Sequence, residues 1–314
     1  MNTVTDKCID KATDKVTDFN VQQIDVIQIN AKGSLKGRDL MSPFAWDMPD
    51  GLVHMLLRGV PCKVENEKEG TGSIYYGTSK DGVTFDMDPE PVLAPDPDPD
   101  APDNGGCEDP TVVHADGQYV VFYTGVEKTH TRGYMLYATG PDLRHLTKHG
   151  VAHASTKNEG NVKEATVAKT KEGWWRMFYE YAHDQRSCIG LGVGETVTGP
   201  WKESPNPFLA RKDSWDNWHL STGPMLHSDP NRPVMFYNGA TQDARWRIGW
   251  IIFDNGCQNV VDRCIEPLIT PVPPVERTDT NIAFAASVLD RGGLAHLYYS
   301  IADRIIYRAL IRRS

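Results

Sequence analysis

One short pattern recurs five times along the 314-residue chain and limits its fold more than any other feature. Each copy contains a strand-like run rich in Val, Leu, Phe and Tyr, then a turn, then a second apolar run. The leading runs are spaced roughly 55 to 65 residues apart, at residues 51–58, 119–123, 174–179, 233–237 and 294–299. Few stretches between them have a sustained helical period. The pattern therefore predicts an all-β chain built from five similar units.

A fixed period with several short strands in each unit is typical of a β-propeller. Further apolar runs follow the leading ones in every copy, at residues 73–77, 134–137, 188–192, 247–251 and 305–308. A large β-sandwich also has short strands at regular intervals and is the alternative. Because all five units match, we predict a five-bladed β-propeller in a single domain of residues 21–314. Residues 1–20 repeat Thr-Asp-Lys with few apolar side chains and are predicted to be a flexible arm.

Polar residues stand at the start of the first strand expected in each unit. They are Arg38-Asp39, Glu108-Asp109, Lys163-Glu164, His219 and Asp279-Thr280-Asn281. Asp, Glu and Lys are poor strand formers, so strand formation alone does not call for them. In a propeller the first strands line one central channel, so we expect these groups to converge in a small-molecule site with acids available for proton transfer. For Glu108-Asp109-Pro110 the alternative is ordinary turn chemistry.

Composition narrows the range of partners. The formal charge of −9 argues against a nucleic-acid partner, because phosphates would be repelled. No run approaches the roughly 18 apolar residues of a membrane helix, and the first residues lack a secretory pattern, so a cytoplasmic location away from membranes is expected. The six cysteines are Cys8, Cys62, Cys107, Cys188, Cys257 and Cys264. They form no Cys-x-x-Cys pair or metal-ligand spacing, so we expect free thiols, no metal and no bound cofactor.

Two tryptophans suggest the class of ligand. Trp215 and Trp218 lie in the long loop before the fourth unit. Indole faces bury the C–H surface of sugars, while carboxylates and amides bind the hydroxyl groups. An oligosaccharide ligand is therefore expected, with a packing role as the alternative for both tryptophans.

Several segments, in order along the chain, resemble glycoside hydrolase family 130. The segment Gly106-Cys107-Glu108-Asp109-Pro110 is similar to a signature of that family. Further similar segments are Leu56-Leu57-Arg58, residues 79–85, Lys163-Glu164-Ala165, Tyr237-Asn238-Gly239, Arg247-Ile248-Gly249 and residues 298–303. The resemblance spans residues 38 to 310, nearly the whole chain. It implies a five-bladed propeller that acts on β-mannosides with inversion, as a phosphorylase releasing mannose 1-phosphate or as a hydrolase.

The resemblance also implies roles for individual residues. Asp109 would be the general acid, whose proton passes through a sugar hydroxyl in the phosphorylases. Arg58 and Lys163 match positions that hold phosphate, so inorganic phosphate would be a co-substrate, and Asp303 matches a position near the bound sugar. The other candidates for substrate contacts are Asp39, Glu108, Trp218, His219 and Asn238. Arg132, like His219, is a further candidate partner for an anion.

Two departures from the family keep the reaction type open. Thr111 stands where the family usually has Arg, and Asn238 stands where it usually has His. Both changes weaken a phosphate site and favour an inverting hydrolase, with Asp109 as acid and Glu164 as base, about 6.5–9.5 Å apart. The missing export pattern favours a phosphorylase, because a sugar phosphate is useful only inside a cell. A sugar-binding propeller without catalysis is the third hypothesis, and a homo-oligomer is compatible with all three.

Overall fold

The structure, a computed structural model, describes residues 18–62, 72–129, 131–272 and 281–314. Most of the predicted N-terminal arm, Cys8 and Asp279-Thr280 lie outside these ranges. The described residues form strands and turns, with a short 3-10 turn at Gly33–Leu35. The prediction of an all-β chain is confirmed.

The strands are numbered in chain order. The first eight are β1 (Phe19–Val26), β2 (Gln28–Asn30), β3 (Arg38–Asp47), β4 (Val53–Pro61), β5 (Ser73–Ser79), β6 (Thr84–Met87), β7 (Gly106–Ala115) and β8 (Gln118–Val126). The next eight are β9 (Gly133–Gly140), β10 (Thr147–His153), β11 (Val162–Lys169), β12 (Trp175–His183), β13 (Arg186–Gly194), β14 (Lys202–Ser204), β15 (His219–Ser221) and β16 (Met225–Leu226). The last eight are β17 (Val234–Met235), β18 (Asn238–Ala240), β19 (Trp246–Ile248), β20 (Ile251–Phe253), β21 (Val260–Arg263), β22 (Ala283–Arg291), β23 (Leu294–Ile301) and β24 (Ile305–Arg313).

The strands fall into five units that follow the predicted repeats. Unit one is the sheet β2-β6-β5-β4-β3, unit two is β10-β9-β8-β7, unit three is β11-β12-β13-β14 and unit five is β1-β24-β23-β22. Unit four consists of two short sheets, β15-β18-β19 and β16-β17-β20-β21. In units one, two, three and five, three strands that are consecutive in the chain are antiparallel neighbours.

The two sheets of unit four continue one another across a short break. The Phe236 amide donates to the Pro224 carbonyl at 3.0 Å, and the Gly249 amide donates to the Tyr237 carbonyl at 3.0 Å. Gly223 permits this approach, since a Cβ there would stand 1.7 Å from the Phe236 carbonyl oxygen. Unit four is therefore an interrupted version of the same antiparallel arrangement.

Strand β1 completes unit five from the other end of the chain. It pairs antiparallel with β24, from Phe19 opposite Arg313 to Val26 opposite Tyr307. The strand begins two residues inside the stretch predicted as the arm. The described N-terminal and C-terminal segments are thus held side by side in one sheet.

Burial explains why the leading apolar runs were visible in the sequence. Residues 53–57 of β4 and 175–181 of β12 are buried on both faces, because each sheet packs against neighbouring units. Strand β22 instead alternates buried and partly exposed residues. Contacts between units run from β3 to β7, from β7 to β11, from β13 to β15, from β16 to β22 and from β22 to β3. The last unit therefore touches the first. No helix within the described ranges is long and apolar enough to cross a membrane.

Candidate active site

The first strands of units one, two and three share a backbone irregularity. Strands β3, β7 and β11 each lose register with the second strand of their unit at one point. At that point the φ angle is positive, 52° at Ser42, 48° at Asp109 and 55° at Glu164. Non-glycine residues seldom adopt this conformation, and bulges of this kind redirect a side chain next to functional sites. The irregularity turns Asp109 and Glu164 away from their ladders.

These irregular segments meet at one narrow cavity. The cavity is lined by Ser42, Asp109, Pro110, Thr111, Glu164, Ala165, Thr166, Thr222, Gly223, Phe284, Ala285 and Ala286. Every one of the five units contributes to this lining. The structure therefore brings Asp109 and Glu164, two carboxyl groups from neighbouring units, to a common space.

Asp109 is buried among donors and cations. The Ser42 hydroxyl donates to its Oδ1 at 2.6 Å, and Arg58 Nη1 lies 3.5 Å from the same oxygen. Burial alone would raise the pKa of Asp109, but the charges of Arg58 and Lys163 and hydrogen bonds from Ser42 and Glu164 bring that pKa below its ordinary value. Asp109 is therefore ionised at neutral pH.

Glu164 has the opposite protonation. Burial raises its pKa well above the ordinary value, and the negative charges of Asp109 and Glu180 raise it further against the opposing effect of Lys163. A hydrogen bond between the Glu164 and Asp109 carboxyl groups is consistent with one shared proton. Two neighbouring carboxyl groups in a poorly solvated site cannot both ionise easily. The pair thus holds one proton, on Glu164.

Two cations flank the carboxyl pair. Lys163 Nζ lies 3.6 Å from Glu180 Oε1, and Glu180 is 4% exposed. The Glu180 carboxylate raises the pKa of Lys163, and the charges of Glu164 and Asp109 add to this effect against the burial that would lower it. Arg58 forms an ion pair with Glu108 through Nη2. Both cations are therefore charged at neutral pH, and both act electrostatically on Asp109.

The second strands of units one to four carry a polar residue at the same place. These residues lie opposite the last paired residue of the first strand before its irregularity or break, and they are Arg58, Thr124, Glu180 and Asn238; in unit five the equivalent residue is Tyr299. Several support the neighbouring unit: the Glu164 amide donates to Thr124 Oγ1 at 3.3 Å, for example. Glu180 was not among the predicted site residues. Its signal was a single acid inside the apolar run Trp175–His183.

Side-chain hydrogen bonds join each pair of neighbouring units at this level. They are Ser42 to Asp109 at 2.6 Å, Thr111 to the Ala165 carbonyl at 2.6 Å, Thr166 to the Gly223 carbonyl at 2.9 Å, Asn238 to the Ala285 carbonyl at 3.2 Å and Ser287 to the Pro43 carbonyl at 2.7 Å. Buried polar groups need such partners, because an unpaired one costs about 1–3 kcal/mol. The site and the contacts between units are thus built from the same residues.

Three other predicted residues lie close to the pair. Glu108 bonds Arg58, and the charge of Asp303 acts on the same guanidinium. His219 accepts a hydrogen bond from the Ser187 amide at its Nδ1, at 3.1 Å, and stacks on Trp246. Burial lowers the pKa of His219, with Lys163 contributing in the same direction and Glu180 opposing it. His219 is accordingly neutral at pH 7.

The remaining predicted residues are placed differently. Asn238 is fully buried; its Nδ2 donates to the Thr222 carbonyl at 2.6 Å and its Oδ1 accepts from the Ala285 amide at 2.7 Å, so its amide group is fully used. Asp39 lies 3.8 Å from Arg304. Trp218 is half-buried and stacks beneath Arg186 at 5.0 Å. Arg132 is exposed and lies beside Glu127.

Trp215 and the cysteines have structural surroundings. Trp215 stacks on Tyr237 at 5.4 Å, and its Nε1 donates to the Ile265 carbonyl at 3.1 Å. These contacts fit the alternative in which Trp215 has a packing role. The described cysteines are free thiols. Burial raises the pKa of Cys107 well above the ordinary thiol value, so it is not a ready nucleophile. Within the described ranges no three His, Cys, Asp or Glu side chains are placed to hold a metal ion.

An all-β scaffold that presents a proton-sharing carboxyl pair between two cations defines a carbohydrate-active enzyme of the glycoside hydrolase and phosphorylase class. The sequence profile of the family Glyco_hydro_130, described as beta-1,4-mannooligosaccharide phosphorylase, matches residues 60–313. The chain belongs to glycoside hydrolase family 130, as its motifs predicted.

Named relatives and solved structures agree with this assignment. The chain is 22% identical over 255 residues to the beta-1,2-mannobiose phosphorylase of Thermoanaerobacter sp. (strain X514), covering 80% of each protein. Its fold is similar to that of the beta-1,2-mannobiose phosphorylase from Listeria innocua, with a TM-score of 0.72, 18% identity and coverage of 92% and 90% of the two chains. It is equally similar, at a TM-score of 0.72, 24% identity and coverage of 87% and 84%, to a structure from work on family members that are glycoside hydrolases targeting beta-1,2 mannosidic linkages in Candida mannan.

Proposed function

We propose that this protein is an inverting β-mannoside phosphorylase that transfers a mannosyl group to inorganic phosphate and releases mannose 1-phosphate. Family membership supports a glycoside phosphorylase or hydrolase, and the named relative is a mannobiose phosphorylase. The observation that carries phosphorolysis is the pair of partly buried cations, Arg58 and Lys163, beside the Asp109–Glu164 pair. A dianionic co-substrate would need such charge in a poorly solvated site.

We further propose that the five units form a five-bladed propeller and that residues 19–314 are one catalytic domain, because β1 begins at Phe19. The contacts between successive units, the contact of β22 with β3 and the side-chain hydrogen bonds between neighbours support closure. In that architecture the narrow cavity lies at the centre, where one sugar can be reached from every blade.

In the proposed reaction, phosphate binds at Arg58 and Lys163 and one of its oxygens attacks the anomeric carbon of the mannosyl group. The bond from this carbon to the glycosidic oxygen breaks, and the glycosidic oxygen receives a proton that originates from Asp109. The products are mannose 1-phosphate with inverted configuration and the shortened saccharide. Sugar hydroxyls would be held by Asp39, Glu108, His219 and Asp303 around the site.

The reaction requires a proton on Asp109, the proposed acid. Within the carboxyl pair, however, Asp109 is ionised and Glu164 holds the proton. A phosphate dianion that enters beside Arg58 offsets the cation that lowers the pKa of Asp109. The shared proton can then move along the hydrogen bond from Glu164 to Asp109. Phosphate binding would thus prepare the acid as well as supply the nucleophile.

Hydrolysis is the second candidate, because Thr111 and Asn238 replace the usual Arg and His. Both side chains are occupied in contacts between units, which leaves fewer groups for phosphate. As a base, however, Glu164 would have to be ionised before water attacks, and burial together with Asp109 opposes this. The protonation state therefore supports phosphorolysis. A sugar-binding protein without turnover is the third hypothesis. For the phosphorylase, we propose a cytoplasmic location, because a sugar phosphate is retained there.

The test is incubation of the purified protein with β-1,2-, β-1,3- and β-1,4-linked mannobiose, with and without phosphate. We expect mannose 1-phosphate in equimolar amount with mannose, and no turnover without phosphate. Mannose released at a rate that phosphate does not alter would instead establish hydrolysis. Binding of the disaccharides without any product would establish a binding protein.

A further inference from the structure

A second concave surface lies near the carboxyl pair and takes no part in the proposed chemistry. This outer groove has a volume of about 820 Å³ and is lined by residues that include Arg186, Asp213, Trp218, Gln242 and Asp243. Its size falls in the range of pockets that hold drug-sized ligands, about 300–1,000 Å³. The narrow cavity has room for far less, so the groove is the place where a larger ligand could extend.

The topology places the groove on the same face as the carboxyl pair. Asp109 and Glu164 lie near the starts of their first strands, at the end of the sheets where second strands finish and third strands begin. Arg186 begins the third strand of unit three, and residues 241–243 connect β18 to β19 in unit four. Trp218 directly precedes β15. The groove therefore opens beside the mouth, between units three and four.

Aromatic side chains link the cavity to the groove. Phe284, which lines the cavity, contacts Trp246 with ring centroids 5.4 Å apart. Trp246 stacks on His219 at 5.7 Å, and His219 follows Trp218 in the chain. Sugars bind along such aromatic surfaces because their C–H faces are apolar.

The groove has the side chains that a neutral polyhydroxylated ligand needs. Trp218 provides an indole held beneath the Arg186 guanidinium at 5.0 Å. Nε of Arg186 is buried and has no hydrogen-bond partner among the residues that the structure describes. Gln242 is exposed and supplies an amide, whereas the neighbouring Asp243 carboxylate accepts from Thr241 and pairs with Arg245. A flat aromatic group with donors and acceptors around it suits a sugar ring.

We propose that the outer groove binds the third and later sugars of a linear manno-oligosaccharide whose reacting sugar lies beside Asp109 and Glu164, at the mouth of the narrow cavity. Trp218 is the platform for those sugars and Gln242 bonds their hydroxyl groups. The inference rests on the proposed function in one respect: the proposed reaction places the end of the oligosaccharide that is cleaved at the carboxyl pair. The groove would make the enzyme prefer oligosaccharides to the disaccharide.

The test compares phosphorolysis of mannobiose, mannotriose and mannotetraose of the accepted linkage by wild type and Trp218→Ala. We expect Trp218→Ala to lower kcat/KM for mannotetraose about tenfold more than it lowers kcat/KM for mannobiose, the size of a lost aromatic contact and its buried area. Gln242→Ala, at an exposed position, should lower kcat/KM for mannotetraose by about threefold without affecting folding. Trp174→Ala is the matched control, because Trp174 is 44% exposed in the turn before β12, at the opposite end of unit three.

Equal fractional losses for all three substrates in Trp218→Ala, with Gln242→Ala unchanged, would overturn the groove assignment. Calorimetric binding of mannotetraose in phosphate-free buffer separates this failure from failure of the proposed function. If wild type turns over no mannoside yet binds mannotetraose, and Trp218→Ala binds it about tenfold more weakly, the groove assignment holds and the proposed function fails. If Trp218→Ala binds it as tightly as wild type, the groove assignment fails whichever reaction occurs.

Discussion

Units one to three and units four and five use the same structural position for different purposes. In the first three units the irregular segment and its facing strand carry charge, with Asp109, Glu164, Lys163, Arg58 and Glu180. In the last two units the equivalent places hold small or neutral groups. There Asn238 bridges Thr222 and Ala285, and Ser287 donates to Pro43.

The difference indicates that this structural position has two independent roles. It joins neighbouring units in all five units, and it carries the proposed catalytic groups in units one to three. Every pair of neighbours needs a side-chain hydrogen bond at this level, and a hydroxyl or amide is enough for it. Among the described residues of these segments, charge lies in units one to three, where opposite charges compensate each other's burial. The comparison predicts that substitutions on the charged side reduce activity, whereas those on the neutral side reduce stability.

The largest effect should come from Asp109→Asn. Loss of the proposed general acid should lower kcat by about 10²–10⁴-fold at unchanged folding, measured as mannose 1-phosphate release at saturating substrate. Asp116→Asn is the matched control, because Asp116 lies in the same strand-and-turn segment, has a φ of 52° and is exposed. Full activity in Asp109→Asn would contradict the assignment of Asp109 as the acid and of the charged residues of units one to three as the catalytic groups.

A smaller effect is expected for the cation pair. Lys163→Met should lower kcat/KM for phosphate by roughly 10–100-fold, the value of a charge-assisted contact. Glu180→Gln should raise KM for phosphate several-fold and leave KM for the mannoside unchanged, because Glu180 keeps Lys163 charged and in place. Lys169→Met, at the exposed far end of β11, serves as control. Parallel changes in both KM values would indicate general misfolding instead.

On the neutral side, Asn238→Ala should destabilise the protein by about 2–4 kcal/mol. The substitution leaves the Thr222 and Ala285 backbone groups buried without partners. Urea unfolding followed by tryptophan fluorescence measures the loss, and exposed Asn30→Ala should cost under about 0.5 kcal/mol. Unchanged stability combined with a large rise in KM for the mannoside would give Asn238 a role in sugar binding.

The smallest effect should be a pH-dependent gain in stability. Because the folded-state pKa of Glu164 is raised from the ordinary 4.5, its stabilising contribution is complete below about pH 4 and is lost as the pH rises. Glu164→Gln stays neutral, so we expect its Tm to exceed that of wild type by about 1–3 °C at pH 8 and to approach the wild-type value near pH 4. A difference in Tm that grows toward acid pH would show that Glu164 is ionised in the folded protein.

The sequence predicts the repeat well because its physical cause is local. Residues 294–299 lie within β23 and residues 119–123 within β8, since strands buried on both faces read as continuous apolar runs. The register shifts at Ser42 and Asp109 cannot be predicted from the sequence, because a bulge depends on how two strands pair. Glu180 was missed for a similar reason: its partner Lys163 stands opposite it only once the ladder between β11 and β12 is known. The outer groove depends on loops from two units, and single-chain patterning does not describe such convergence.

The pairing of β1 with β24 has a consequence for biosynthesis. A ribosome makes β1 early and β24 nearly 280 residues later in this chain. Until the later strand emerges, Phe19 and the rest of β1 have an unfilled edge that other chains could occupy. Unit five therefore matures last, and a nascent polypeptide stalled before β24 should be the species most dependent on chaperones.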